Sequence, residues 1–325
     1  MTTFDAALHP RGRAQNAGQF RQKENEAPGA GLERRSVAEM QAERIQELED
    51  HWFALWTDAG PNAELDLAGE DPGRQADLAR TTTDPRTLAQ LARNTVGDVG
   101  SAVARNPHTP ASVLHYLATS QDRARAYEDR FHAIHNVACD PATIRGLWDA
   151  PLNSEWSRPL RIDIATAPNT PGDILRDLAF RSYSPQAGDH PNFPEEALAA
   201  AVSDPTRAHL VVGNAKLTDE QLRAALRAVD PFTDDDDDEI WAVLTAAGAA
   251  KHPNASEETV KSLLTHPDAH VRKTAKDRLT GNRITRSRAA AEREMRDAGG
   301  SEEEITLAGN IAARGALEGN EWGQA

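Results

Sequence analysis

His132, His135 and Cys139 stand at i, i+3 and i+7. On one helix that spacing stacks two imidazoles and a thiolate, a set of donors suited to a divalent metal. Further on, Asp234–Asp238 run directly into Glu239, and their carboxylate oxygens suit a hard cation such as calcium. Each cluster has a plainer reading. Taking Val137-Ala138 as the small apolar pair that closes a repeat, Cys139 falls in register with Arg105, Thr166, Ser203 and Lys251. That position tolerates polar residues, so Cys139 is expected at the surface and the three donors are read as ordinary helix residues. The acidic run lacks the alternating spacing and the glycine of a calcium loop. It is read as the solvated, dipole-favoured start of a helix over Ile240–Ala250, with contact to a basic partner as its other use. There is no glycine-rich phosphate loop, nucleophile elbow, paired-histidine zinc motif or kinase signature. The sequence therefore supports no catalytic role, no cofactor and no metal, and the chain is expected not to be an enzyme.

The elements that carry these residues come from a phrase the chain keeps rewriting. Asn106-Pro107-His108-Thr109-Pro110, Ala167-Pro168-Asn169-Thr170-Pro171 and His190-Pro191-Asn192-Phe193-Pro194 each open an apolar run. Looser copies open at Asp84-Pro85, Asp140-Pro141, Asn214-Ala215 and His252-Pro253. From the first proline of each copy (Ala215 where it is replaced) the steps are 22, 34, 27, 23, 24 and 38 residues, a short unit carried with insertions. Residues 121–131 and 232–239 fall in the two longest units and read as those insertions. In the clearest copy, Thr109 is expected to cap a helix and Pro110 to occupy its first position. Val113, Leu114, Leu117 and Ala118 then share one face, as do Ile174, Leu175, Leu178 and Ala179. A second, shorter helix follows within each unit, after phrases such as Ser203-Asp204-Pro205 and Thr265-His266-Pro267. Such short helices gain stability only by packing on their neighbours.

Val103-Ala104-Arg105-Asn106-Pro107-His108-Thr109-Pro110 followed by Val113-Leu114 and Leu117-Ala118, with His266-Pro267-Asp268-Ala269-His270-Val271-Arg272 as a second half, resembles the variant leucine-rich repeat, a helical relative of HEAT and armadillo repeats. The resemblance covers roughly residues 84–280. It implies an all-α fold, a right-handed α-solenoid of about seven short helical repeats with flanking helices, and a protein-binding or scaffolding function. HEAT-like solenoids that cradle DNA make a nucleic-acid-binding or base-repair protein the alternative. The iron–sulfur segment of some variant leucine-rich repeat proteins is cysteine-rich, whereas this chain has a single cysteine.

Flanking the repeats, residues 1–35 are polar and expected to be unstructured. Their His9-Pro10-Arg11, Gly18-Gln19-Phe20 and Lys23 are similar to N-terminal tags of bacterial plasmid and phage proteins, which implies an accessory role in such a system. Residues 36–58 read as an amphipathic helix capped by Ser36 and Glu39, with Val37, Met40, Ile45, Leu48, Trp52 and Trp56 on one face. Residues 283–325 read as a basic helix ended by Gly299-Gly300 and a weakly ordered second helix interrupted by Gly309, Gly315 and Gly319.

Net charge is −15, unevenly spread. Residues 272–298 hold nine basic and four acidic side chains, whereas 36–271 carry −18. A body of that sign repels phosphate backbones, so nucleic acid is not expected as a partner. No stretch has the 18 or more apolar residues of a membrane span, and the first 20 residues lack a signal-peptide core, so a cytoplasmic, bacterial protein with no membrane contact is expected. The partner is an unidentified protein. Residues that differ between copies at matching exposed places are the candidates for contacting it: His115 and Tyr116 on one helix, Arg176 and Asp177 on another, with Trp52 and Trp56 on the N-terminal helix.

Overall fold

The computed structural model describes residues 36–57, 69, 71–94, 96, 98–120, 127–150, 157–230 and 236–318. The expectation of an unstructured tail over 1–35 lies outside these, as do residues 121–126 and 232–235 of the supposed insertions. The chain divides into two compact units, Met1–Arg44 and Ile45–Ala325. In the first, Ser36 and Glu39 form the expected reciprocal cap: Glu39 N–H donates to Ser36 Oγ (3.1 Å) and Ser36 N–H donates to Glu39 Oε2 (2.7 Å). The helix they open is α1, Val37–Thr57.

The fold is all-α, with 17 α-helices and no strand among the described residues. Beyond α1 the helices alternate between two sets. The first set is α3 (Pro85–Leu91), α5 (Ala111–Thr119), α7 (Pro141–Asp149), α9 (Gly172–Arg181), α11 (Glu195–Ala201), α13 (Asp219–Ala228) and α15 (Glu257–Ser262). The second set is α2 (Pro72–Thr81), α4 (Val99–Arg105), α6 (Glu128–His135), α8 (Ser157–Thr166), α10 (Pro185–Gly188), α12 (Ala208–Val211), α14 (Asp236–Lys251) and α16 (Ala269–Asp297). Every member of the second set packs on the next member, from α2 through to α16. Each first-set helix packs on the second-set helix that follows it in sequence. Leu88, Leu114, Ile144, Leu175, Leu198, Leu222 and Val260 each stand fourth in a first-set helix, and all are buried.

The turns between the sets carry the polar part of the fold. Asn106 Nδ2 donates to the carbonyls of Ala79 and Thr82, Asn136 Nδ2 to those of Ala104 and Asn106, and Asn214 Nδ2 to those of Gly188 and His190. Two residues later in the phrase, Asn169, Asn192 and Asn254 reach the preceding turn in the same way, through the carbonyls of Val137 and Cys139, Pro168 and Thr170, and Ala215 and Leu217. Each turn is thereby stitched to the one before it by one side-chain amide bridging two carbonyls. Helix ends leave such carbonyls without intrahelical partners, which is why a short-helix stack needs the asparagines.

Several expectations are corrected. Thr109 does not cap α5; its buried hydroxyl donates back to the Val103 carbonyl (2.6 Å), and Thr170 does the same to Ile164 (2.6 Å). Pro110 and Pro171 are themselves the N-cap residues. Phe131 belongs to α6, so that part of the supposed insertion is repeat helix. Asp236–Glu239 form the first turn of α14, which starts four residues before the expected Ile240. The domain boundary expected between 280 and 283 falls inside one 29-residue helix, α16. Gly299, with φ +79°, ends that chain direction, and α17 (Glu302–Glu318) returns along α16 with the Ser301–Glu304 pair as its cap. A Cβ at Gly309 would sit 2.5 Å from the Glu292 carboxylate on the facing helix, so a larger residue there would make that side chain swing aside.

Candidate partner-binding face

The first set of helices is where the sequence placed its partner-contacting residues, and its first members are already covered by a helix. Within the second unit, α1 crosses α7, α5 and α3 in that order. Ile45 Cδ1 lies 3.5 Å from the Cβ position of Gly146 on α7. His51 Nδ1 pairs with Ser112 Oγ on α5 (3.0 Å), and the Trp52 and Tyr116 rings stack with centroids 4.1 Å apart and planes 11° from parallel. The Arg93 guanidinium, just after α3, sits 4.2 Å from the centre of the Trp56 ring. Aromatic stacking and a cation over a ring each add to the burial of these large side chains. Leu48 is buried, whereas Phe53 points outward and is 60% exposed.

This arrangement sorts the candidate residues. Trp52 and Tyr116 are brought together, against each other. Trp56 is brought to Arg93. His115 is corrected: it is buried, its Nδ1 shares a hydrogen bond with Thr143 Oγ1 on α7 (2.9 Å), and burial pushes its imidazole below the usual histidine range. It faces the next repeat and cannot meet a partner. Arg176 and Asp177 occupy the same two positions one repeat beyond the reach of α1, on α9. Arg176 is exposed, lies 3.8 Å from Asp177, and Asp177 also meets Arg181 at 3.7 Å. Further along the set, Ala199, Ala200 and Lys261 are exposed at equivalent positions.

Sequence reading missed the clasps that fix these side chains between repeats. Arg145 Nη2 donates to Asp173 Oδ1 (2.5 Å), joining α7 to α9 and holding the Asp173 carboxyl below its usual range. Arg223 bonds Asp219, Thr259 Oγ1 and Glu258, joining α13 to α15. A signal existed: the position of His115 reads Arg145, Arg176, Arg223 and Lys261 in other copies, and the second helical position reads Asp173, Glu196, Glu220 and Glu258. A cation on one helix thus faces an acid on the next.

The chemistry-bearing clusters resolve into structural roles. Cys139 is corrected from exposed to buried, and burial pushes its thiol up to about 12, which removes it as a thiolate ligand. The turn phrase in that copy is Asn136-Val137-Ala138-Cys139, four residues from the assumed register, so Cys139 takes the buried place of Thr109 and Thr170. His132 and His135 end α6, and His135 bonds Phe131 O and Thr166 Oγ1. Among the described residues no group of three or more His, Cys, Asp or Glu side chains is placed to hold a metal ion.

The cations of α16 are largely engaged within the chain. Arg272 bonds the carbonyls of His266 and Pro267, Arg278 that of Pro253, and Arg283 that of Ala316, while Arg286 pairs with Glu257, Arg288 with Glu292 and Lys273 with Asp277. No helix among the described residues is long and apolar enough to cross a membrane.

No family model and no curated protein matches the chain. A crystal structure described as an engineered protein is 18% identical over 85% of this chain and 97% of that one, at a TM-score of 0.16, a likeness too weak to carry an argument.

Proposed function

We propose that this chain is a non-enzymatic protein-binding or scaffolding module of the bacterial cytoplasm, built as a right-handed stack of helical repeats of the variant leucine-rich or HEAT-like kind. One observation carries the proposal: the first-set helices already hold a helix, α1, by ring stacking and a cation over an indole, and their row continues past it through α9, α11 and α13. Repeat rows of this kind offer equivalent positions on successive helices, so a partner segment is read by the residues that vary between them. The engaged cations of α16 and the acidic body speak against nucleic acid as the partner.

The test is the double charge reversal Arg176→Glu, Asp177→Arg. Arg176 is exposed and Asp177 half-buried, and the reversal keeps their mutual pair but breaks the contact of Asp177 with Arg181. A surface pair of that kind is worth only about 0.3–0.5 kcal/mol, so the melting temperature is expected to stay within about 2 °C. The affinity for the protein captured by the wild-type chain from its native cell is expected to drop at least about tenfold, roughly 1.4 kcal/mol. Unchanged affinity removes α9 from the binding face.

A further inference from the structure

Two turn phrases carry histidine where three others carry asparagine. His190 and His252 stand in the register of Asn106, Asn136 and Asn214, and Ala167 holds that place in a further copy. Both histidines stitch adjacent turns. His190 Nδ1 accepts from the Asn192 N–H (3.0 Å) and its Nε2 meets the Ala167 carbonyl of the preceding turn (3.0 Å). His252 Nδ1 accepts from the Asn254 N–H (3.1 Å) and its Nε2 meets the Asn214 carbonyl (2.9 Å). Both rings are buried, at 6% and 2% exposure.

The partners fix the tautomer. An N–H can only donate and a carbonyl can only accept, so Nδ1 is the bare nitrogen and Nε2 carries the proton. A second proton would have to go on Nδ1, where it would point at the N–H of Asn192 or Asn254. The asparagine joints have no such vulnerability, since the amide of Asn106 or Asn136 does not titrate and its Oδ1 accepts the N–H of His108 or Ala138 (2.8 and 2.9 Å).

We propose that the two histidine joints make the stack acid-sensitive between the turns at 167–170 and 190–193 and between those at 214–217 and 252–255, while the asparagine joints near its beginning hold. The surrounding charges set how far this goes. Lys216 faces His190 and, with burial, disfavours the imidazolium. Asp189 lies toward His252, its carboxylate accepts from the Gly213 N–H, and desolvation pushes its pKa up to about 6. Lys251 precedes His252 in sequence.

The signs oppose one another. The depressed His190 favours the folded state while neutral, and that contribution is lost as pH falls below the ordinary histidine value. The raised Asp189 works the other way, because its desolvation cost is relieved as it takes up a proton near pH 6. It softens the histidine effect from that pH down without touching the Nδ1 clash.

Two measurements on the full chain test this. In native-state amide exchange, corrected for intrinsic rates, the N–H groups of Asn192 and Asn254 are expected to lose protection at least about tenfold between about pH 7.5 and about pH 5.5, while those of His108 and Ala138 do not. In urea unfolding, the double variant His190→Asn, His252→Asn is expected to lose distinctly less stability over that interval than the wild type. Uniform protection at all four amides, or an Nδ1–H tautomer for either ring in nitrogen NMR, overturns the proposal. If the variant does not fold, the exchange measurement on the wild type decides alone.

Discussion

Replacing Asn136 by alanine is expected to lower the unfolding free energy by about 2–4 kcal/mol, since each buried polar group left unpaired costs about 1–3 kcal/mol. One substitution takes their partner from the Ala104 carbonyl and from the Ala138 N–H that Asn136 Oδ1 accepts, and it removes one of the two bonds of the Asn106 carbonyl, which keeps the Thr109 N–H. Asn136 is 8% exposed, so water has little access to replace the lost bonds. Asn169→Ala provides the scale. Its amide also bridges two carbonyls, but the bond to Val137 lies at the surface, and a loss of about 1 kcal/mol is expected for a partly solvated pair. Urea denaturation of the two variants measures both. Equal, small losses would mean that side-chain amides do not hold the turns together and that apolar burial alone orders the stack.

Gly188→Ala is expected to cost at least about 3 kcal/mol, at the upper end of overpacking penalties. A Cβ at this position, the last residue of α10, would overlap the backbone carbonyl of Leu210 on α12 and come within 3.2 Å of Val211 Cγ1. Backbone cannot rotate away as a side chain can, so the two helices must separate and break the packing of the second set. Gly281→Ala is the matched control. Nothing lies within 4 Å of its Cβ position inside α16, and the substitution is expected to stabilise by about 0.5–1 kcal/mol through helix propensity. Thermal melts of the pair separate a close-approach glycine from a merely permissive one. A tolerated Gly188→Ala would contradict the contact between α10 and α12.

The helical class and the buried column from Leu88 to Val260 were legible in the sequence, because apolar spacing survives in every copy however its turn is written. The turn chemistry was legible only as a motif. Asparagine in Asn-Pro reads locally as a turn or cap residue, and its bridge to carbonyls 24 to 32 residues earlier appears only when successive turns are superposed in space. Thr109 was misread for the same reason: a threonine before a proline looks like an N-cap, whereas its hydroxyl turns back to close the preceding helix. Cys139 was lost to a four-residue register slip, since Val137-Ala138 imitates the pair Val103-Ala104 that precedes the turn elsewhere. His115 looked variable and hence exposed. It varies because the clasp made there differs between copies, to Thr143 from His115 and to Asp173 from Arg145. The stripe on α1 was visible from its period, but that Trp52 meets Tyr116 required the fold.

The most direct test of the binding face is a photo-crosslinking scan in the native cell. A photoreactive residue is placed at Arg176, Ala200 and Lys261 on the first set of helices, and at the exposed Ile162 and Leu244 on the second. The account predicts that one partner protein is captured from at least two of the first-set positions and from neither second-set position. Capture from Ile162 or Leu244 with none from Arg176, Ala200 and Lys261 would contradict it.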